Sequence, residues 1–304
     1  MTAQTAGPER PLITVLIPAF NAGPHLAEAL HSVQRQGVDS LELLVVDDGS
    51  TDETPRVLAG ITDLRLRVVR QDNTGLVGAL NRGIEEARGA FLARLDADDV
   101  MPAGRLLAQL SAMTADSRLL VLGTDYETFG EVSFRVRMPR TDRACRQRLV
   151  FGSCHCGASV MIRRDRLIAS GVRFDPADIH AEDYGMWCEL SDYGRLGNLP
   201  MVGYRYRIHA GQISARYVEA QRATHLRIAR EYAQRIGRRP MAEADLRALL
   251  WPAVPARPGV SAAVRSLRSL TGPLLRAGRV APNLEGARFL GRKAYEAAAG
   301  ALRQ

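Results

Sequence analysis

Hydrophobic positions in the first hundred residues follow two alternating rhythms. Short, nearly unbroken apolar runs at 13–18 (ITVLIP), 41–46 (LELLVV), 64–69 and 90–95 read as buried strands. Between them, residues 24–36, 53–59 and 76–87 carry apolar side chains at helical spacing. Ser50 with Glu53 fits a capping box that opens the second of these helices. Strand, helix, strand at this spacing demands right-handed crossovers, and those give a parallel sheet covered on both faces. The expected fold class is α/β, mostly parallel and doubly wound. In such sheets ligands sit outside the carboxyl ends of the strands.

Past residue 100 the rhythm changes. Residues 102–113 read as a helix with Pro102 in its first turn, and 119–122 as a short apolar strand. Residues 132–138 alternate apolar and polar like a half-exposed antiparallel strand. Further on, 159–162 reads as a strand, 182–193 as a helix and 201–208 as one strand or a pair. An Ala/Arg/Leu-rich pattern then predicts helices at 218–236, 241–250, 260–270 and 284–302, interrupted by Pro252, Pro255, Pro258 and Pro273. The expected division is a flexible N-terminus (1–10), an α/β domain (11–214, in halves of about 11–125 and 126–214) and a helical C-terminal region (215–304).

Composition narrows the class. With 304 residues, 46% of them hydrophobic, a full core is available, so collagen-like and disordered readings drop out. Four cysteines in a chain this long make no disulfide scaffold, and no pair of CxxC motifs exists to hold zinc. No apolar run reaches bilayer-spanning length, and residues 1–10 lack a signal peptide's hydrophobic stretch. The expected location is the cytoplasm. The formal charge of +8 is uneven: from Arg216 onward 17 Lys+Arg face 6 Asp+Glu, an excess of +11 that leaves 1–215 at −3. Arg222, Arg227, Arg230, Arg235, Arg238 and Arg239 accompany Leu226, Ile228 and Ile236 along one helical stretch. Such a helix either lies on the anionic inner face of the cell membrane or is a solvated face packed on the first domain.

The candidate chemistry sits at strand ends. The run at 41–46 leads straight into Asp47-Asp48-Gly49-Ser50-Thr51-Asp52, and the run at 90–95 into Asp96-Ala97-Asp98-Asp99. In an extended segment residues i and i+2 point the same way, so Asp96 and Asp98 are expected to converge on one ligand. Clustered carboxylates repel unless a cation compensates; Mg²⁺ or Mn²⁺ shared with a substrate's phosphates is the expected partner. The plainer reading makes Asp47, Asp48 and Asp98 helix caps and turn residues.

The segment PLITVLIPAFNAGPHLAEALHSVQRQ, followed by LELLVVDDGSTDET, QDNTGLVGALNRG and FLARLDADDVMPAGRLLAQL, resembles the family 2 glycosyltransferases of the GT-A fold. Downstream, HCGASVMIRRDRL, GVRFDP, AEDYGMWCELSDYG and NLPMVGYRYRIH look like the acceptor half of that family, so the resemblance covers about 11–214. Arg94 before the DADD, with Arg105 and Gln109 after it, is similar to a bacterial surface-polysaccharide subgroup. The resemblance implies that Pro18, Ala19 and Phe20 line the base pocket and that Asp48 contacts the nucleoside. It implies that Asp96 holds the ribose or a metal-bound water, that Asp98 ligates the metal, and that His209 lies near metal or phosphates. Asp183, beside Glu182, matches the family's general base, with Trp187 one turn further on. Where many relatives carry an Arg this chain has Leu80, which leaves Asn73, Arg82 and Arg94 as candidates for the unfilled phosphate contact.

A carboxylate base makes chemical sense, since an acceptor hydroxyl attacking an anomeric carbon must lose its proton as the nucleotide leaves. Metal charge would stabilise the leaving diphosphate, and single displacement inverts the anomeric centre. The implied partners are a UDP-, dTDP- or GDP-sugar and a glycan or lipid-linked acceptor, in polysaccharide biosynthesis. His155, in Cys154-His155-Cys156, is expected either to face donor or acceptor or to pack in the core. The competing classes are a sugar-phosphate nucleotidyltransferase, whose Gly-rich basic first loop is missing, and a non-catalytic sugar-nucleotide module. GxGxxG, Walker lysine and GxSxG motifs are absent, and without interleaved aromatics nucleic acid is not an expected partner.

Overall fold

A computed structural model describes residues 10–209 and 217–251. The predicted helices at 260–270 and 284–302 and nearly all of the N-terminal segment lie outside the described residues. Strands β1 (Ile13–Ala19), β2 (Leu41–Asp47), β3 (Leu66–Arg70) and β4 (Phe91–Arg94) are parallel in the order β3-β2-β1-β4. Helices α1 (Gly23–Gln34), α2 (Thr54–Ala59) and α3 (Gly75–Glu86) connect them. Period-two alternation explains why the strands are so apolar. Ile13, Val15 and Ile17 of β1 join one buried cluster with α1, while Leu16 joins a second cluster with α3 on the opposite face. The break in the second run, Glu42, is buried opposite Thr14 and takes hydrogen bonds from its hydroxyl (2.5 Å) and from Arg67 (2.9 Å).

Beyond β4 the sheet becomes mixed. β7 (Met161–Arg163) runs antiparallel to β4 and to β5 (Leu119–Gly130), and β6 (Arg135–Val136) antiparallel to β5. β8 (Arg195–Ile208) is one 14-residue strand parallel to β5, with register shifts along the pairing, where the sequence left open a shorter strand or a pair. Helices α4 (Arg105–Ala115), α5 (Asp142–Leu149), α6 (Arg164–Ser170) and α7 (Glu182–Leu190) cover it. Two sequence expectations change. The capping box does not form: α2 starts at Thr54, whose N–H is taken by Asp52 (2.9 Å), while the Ser50 hydroxyl accepts from Asn21 N–H (3.0 Å). Helix α5 escapes the pattern because its many arginines hide a short buried face of Ala144, Cys145 and Leu149.

Helices α8 (Val218–Arg235) and α9 (Glu243–Leu250) belong to the same core. Leu226, Ile228, Ala229 and Tyr232, with Leu246 and Leu249, are buried in the cluster that contains Trp187 and Leu190. Several of the basic side chains are neutralised there. Arg227 meets Asp178 and Glu231, Arg235 meets Glu189 and Asp192, and Arg222 pairs with Glu219 over the Trp251 ring. Among the described residues no helix is long and apolar enough to cross a membrane.

Candidate active site

The carboxyl ends of β1, β2 and β4 lie side by side, and the loops leaving them hold one another in place. Asn21, just past β1, sits in left-handed backbone (φ 50°), and its side-chain oxygen accepts from Thr51 and Asp52 N–H (2.9 and 3.3 Å). Ala22 and Gly23 N–H donate to Thr54 and Asp52 across the same gap. Phe20 is half exposed beside this junction, at the end of the buried Pro18-Ala19 segment. The sequence reading passed over Asn21; its signal is the tolerance of Asn for αL.

Asp48 is buried and does structural work. Its two oxygens accept from Gln71 Nε2 (2.7 Å), Thr74 N–H (2.9 Å) and Gly75 N–H (2.8 Å), which caps α3 and shapes the loop that presents the exposed Asn73. Asp47 accepts from Ser50 N–H (3.0 Å). Leu80 is fully buried, and Arg82 is paired with Glu86 on an exposed helix face.

The DADD segment is not extended. The chain turns at Ala97 and Asp98, with Asp99 N–H reaching back to the Asp96 carbonyl (3.3 Å), so alternation along a strand is not what aims these carboxylates. The end of β8 aims them instead. The Tyr204 hydroxyl lies within hydrogen-bond reach of Asp96 (3.1 Å) and of the fully buried Asp99, which also takes Arg207 N–H (2.6 Å). Arg207 Nε donates to the Asp98 carbonyl (2.7 Å), and Val100 and Arg205 exchange backbone hydrogen bonds. Burial, with the charges of Asp96 and Asp98, pushes the Asp99 carboxyl up to about 8. Asp96 and Asp98 remain about one third exposed, and His209 Nε2 lies 3.1 Å from Asp98. The His209 ring packs on His25 (centroids 5.3 Å apart), at the start of α1. Asp99, Tyr204, Arg207 and His25 escaped the sequence reading because only the meeting of β8 with the β4 end gives them a role.

Asp98 and His209, 3.1 Å apart at the edge of the cleft, are the pair that could hold Mg²⁺ or Mn²⁺; Asp96, tied to Arg94, does not close a three-ligand group with them among the described residues. Oxygen ligands with one nitrogen, open to water on one side, match an ion that keeps waters and shares a diphosphate.

Facing them is the N-terminus of α7. Asp183 is about one quarter exposed and bonded to Arg94, whose other amino group reaches Asp96 (2.7 Å). Burial raises the Asp183 carboxyl while Arg94 opposes the shift; burial and the Asp183 charge raise Glu182 to about 7. Burial would lower the Arg94 guanidinium, but the charges of Asp183 and Asp96 outweigh it and hold Arg94 protonated. Gly157 makes room for the base: a Cβ there would lie 1.5 Å from Asp183 Oδ2. Beneath, the fully buried Arg105 donates to the Arg94 carbonyl (2.9 Å), the Val160 carbonyl (3.1 Å) and Gln109 (3.0 Å). Gln109 in turn donates to the carbonyls of Leu122 (2.5 Å) and Ser159 (2.9 Å). These two residues brace strands β4, β5 and β7.

His155 and Trp187 are buried, with rings in edge contact at 5.4 Å. Of the two places open to His155 it takes the core, and Trp187, core or pocket wall by its sequence, packs there beside it rather than on the acceptor side. Asn198 Nδ2 donates to the carbonyls of Pro139 (2.7 Å) and Cys154 (3.0 Å), so its oxygen takes the proton of His155 Nδ1 (2.9 Å). Burial lowers His155 to about 4, so the ring is neutral. Cys145 and Cys154 lie within 4.8 Å of His155, but Asn198 is wedged among the three and already holds Nδ1.

The chain matches the family model "Glycosyl transferase family 2" over residues 14–168. It is 30% identical over 253 residues to an uncharacterized glycosyltransferase of Haemophilus influenzae, covering 75% of this chain and 76% of that one. It is 27% identical over 207 residues to the Escherichia coli UDP-Glc:alpha-D-GlcNAc-diphosphoundecaprenol beta-1,3-glucosyltransferase WfgD, covering 67% and 80%. In structure it resembles the mannosyltransferase PcManGT of Pyrobaculum calidifontis, solved with GDP-Man and Mn²⁺, with a TM-score of 0.57, 24% identity and coverage of 95% and 81%. The GT-A fold expected from the sequence is thus the fold observed, and with its strand-end carboxylates and family match the chain belongs to glycosyl transferase family 2.

Proposed function

We propose that this glycosyltransferase moves a sugar from a nucleotide diphosphate to a hydroxyl of a glycan or lipid-linked acceptor in polysaccharide biosynthesis, with metal dependence and inversion. The observation that carries the reading is that two pairs stand at one edge of the sheet: Asp98 beside His209 at the β4 end, and Asp96 linked to Asp183 through Arg94. Asp98 and His209 would hold Mg²⁺ or Mn²⁺, whose chemistry there is to neutralise charge on the departing diphosphate. Pro18, Ala19 and Phe20 line the base side, with Asp48 acting through the loop it shapes. Asp183 takes the acceptor proton, and Glu182, largely buried beside it, keeps water out. The nucleotidyltransferase reading loses ground to the family match. A lipid-linked acceptor is supported by WfgD, whose substrate carries diphosphoundecaprenol. Contact with anionic lipid then falls to Arg230 and Arg239 rather than to the paired arginines of α8.

The test is nucleoside-diphosphate release from UDP-glucose, UDP-GlcNAc and GDP-mannose with Mn²⁺, comparing wild type with Asp98→Ala and Asp183→Asn. Both variants should lose at least ~10²-fold in turnover while UDP or GDP still stabilises Asp183→Asn against heat. Turnover that survives both substitutions refutes the mechanism.

A further inference from the structure

We infer that Arg94 is a positioning residue whose guanidinium ties Asp183 to Asp96 and so sets the spacing between proton acceptor and donor. This rests on the reading of Asp183 as base. The sequence pointed to Arg94 as a donor contact, yet its side chain is only 4% exposed and both terminal nitrogens are taken, one by Asp183 and one by Asp96 at 2.7 Å. Enclosed to this degree and bound to two carboxylates, the guanidinium is placed to join those acids rather than to present itself to solvent.

The root of the side chain is held as firmly as its head. Arg94 N–H donates to the Val160 carbonyl (3.0 Å), its carbonyl accepts from the buried Arg105 (2.9 Å), and the Phe174 ring lies 6.0 Å from the guanidinium carbon. Asp183 comes 89 residues later, on a helix whose start has no other charged anchor to β4 among the described contacts. A planar fork can satisfy two carboxylates at once, whereas an ammonium on a flexible stem is a point charge without that geometry. The same tie compensates two acids that would otherwise repel each other in a half-buried cleft. Acceptor-side and donor-side groups are therefore fixed relative to one another before any substrate arrives. A misplacement of about 1 Å at such a site can cost ~10²-fold in rate.

The experiment is a double-mutant cycle of Arg94→Met and Asp183→Asn, read in two ways. One reading is nucleoside-diphosphate release from UDP-glucose, UDP-GlcNAc and GDP-mannose with Mn²⁺; the other is the urea midpoint of the metal-free protein. Arg94→Met should lower kcat by ~10²-fold, leave donor KM within about threefold, and cost less than about threefold further when added to Asp183→Asn. Its urea midpoint should fall, and Asp183→Asn should restore part of that fall by removing a stranded carboxylate. Arg94→Lys should recover no more than about a tenth of the lost rate, and it carries the same cycle if Arg94→Met does not fold. Additive effects in both readings, or wild-type turnover in Arg94→Met, overturn the proposal. Should Asp183→Asn itself keep wild-type turnover, the base assignment fails on its own; the urea cycle then decides the tie, and additive midpoints refute it.

Discussion

Substituting Gly157 by alanine would test whether the place of Asp183 is set by space as well as charge. The backbone at Gly157 is not left-handed, so what the glycine supplies is room. An added Cβ would lie 1.5 Å from Asp183 Oδ2 and 2.2 Å from its Cγ, where an ordinary carbon–oxygen contact is about 3.3 Å. The carboxylate must therefore retreat by roughly 2 Å, which exceeds what a hydrogen bond to Arg94 tolerates. A flexible side chain would yield cheaply, but this one is tied. Breaking a buried ion pair costs about 3–5 kcal/mol; with Asp183 one quarter exposed and free to turn to water, ~1–2 kcal/mol is the discounted expectation. That corresponds to a fall of about 2–4 °C in Tm for a domain of this size. Turnover should fall ~10²-fold, because the misplacement exceeds 1 Å. Nucleoside-diphosphate release and differential scanning fluorimetry read the two effects. A Gly157→Ala enzyme within threefold of wild-type turnover, at unchanged Tm, would refute the idea that this contact holds the base.

Further expectations concern the supporting residues. Burial, then the Asp183 charge, raises the Glu182 carboxyl from its ordinary 4.5 to about 7 in the folded protein, so its contribution is fully present below pH 4.5 and lost as pH rises through 7. Glu182→Gln should gain up to about 3 kcal/mol over wild type at pH 8 and nothing at pH 4, by thermal melts across pH. Arg105→Met leaves the Arg94 carbonyl without its donor in the core, removes the second bond to the Val160 carbonyl and should cost ~1–3 kcal/mol in urea unfolding; an unchanged midpoint would count against the bracing role. Asn21→Ala strips the Thr51 and Asp52 N–H groups of their acceptor and should weaken the stabilisation given by UDP or GDP, measured as thermal shift, more than it lowers the Tm of the free protein.

Much of the donor half was legible because its determinants are local. The runs at 13–18 and 41–46 alternate between two buried clusters, so their apolar character announces covered strands, and the carboxylates follow directly in sequence. Local rules failed where a residue's partner is distant. Asp98 was expected to align with Asp96 by strand alternation, but Tyr204 and Arg207, more than a hundred residues later, hold the segment as a turn. The sequence left His155 and Trp187 between pocket and core, and only their mutual contact, with Asn198 holding the His155 ring, shows them buried. The basic helix at 218–236 suggested either a membrane face or a packed one; Asp178 and Glu189, on other elements, pair two of its arginines.

The sequence by itself determined the α/β alternation, the strand-end acids and the family, because hydrophobic period and short motifs are properties of neighbouring residues. Tertiary structure decided what each acid does. Asp48 became a cap, Asp99 a buried anchor, Asp98 an exposed candidate ligand, and Asp183 a tied carboxylate, although the chain writes them all with one letter. A carboxylate's protonation and reach depend on burial and on which charge stands within about 4 Å, and those distances exist only after the chain has folded.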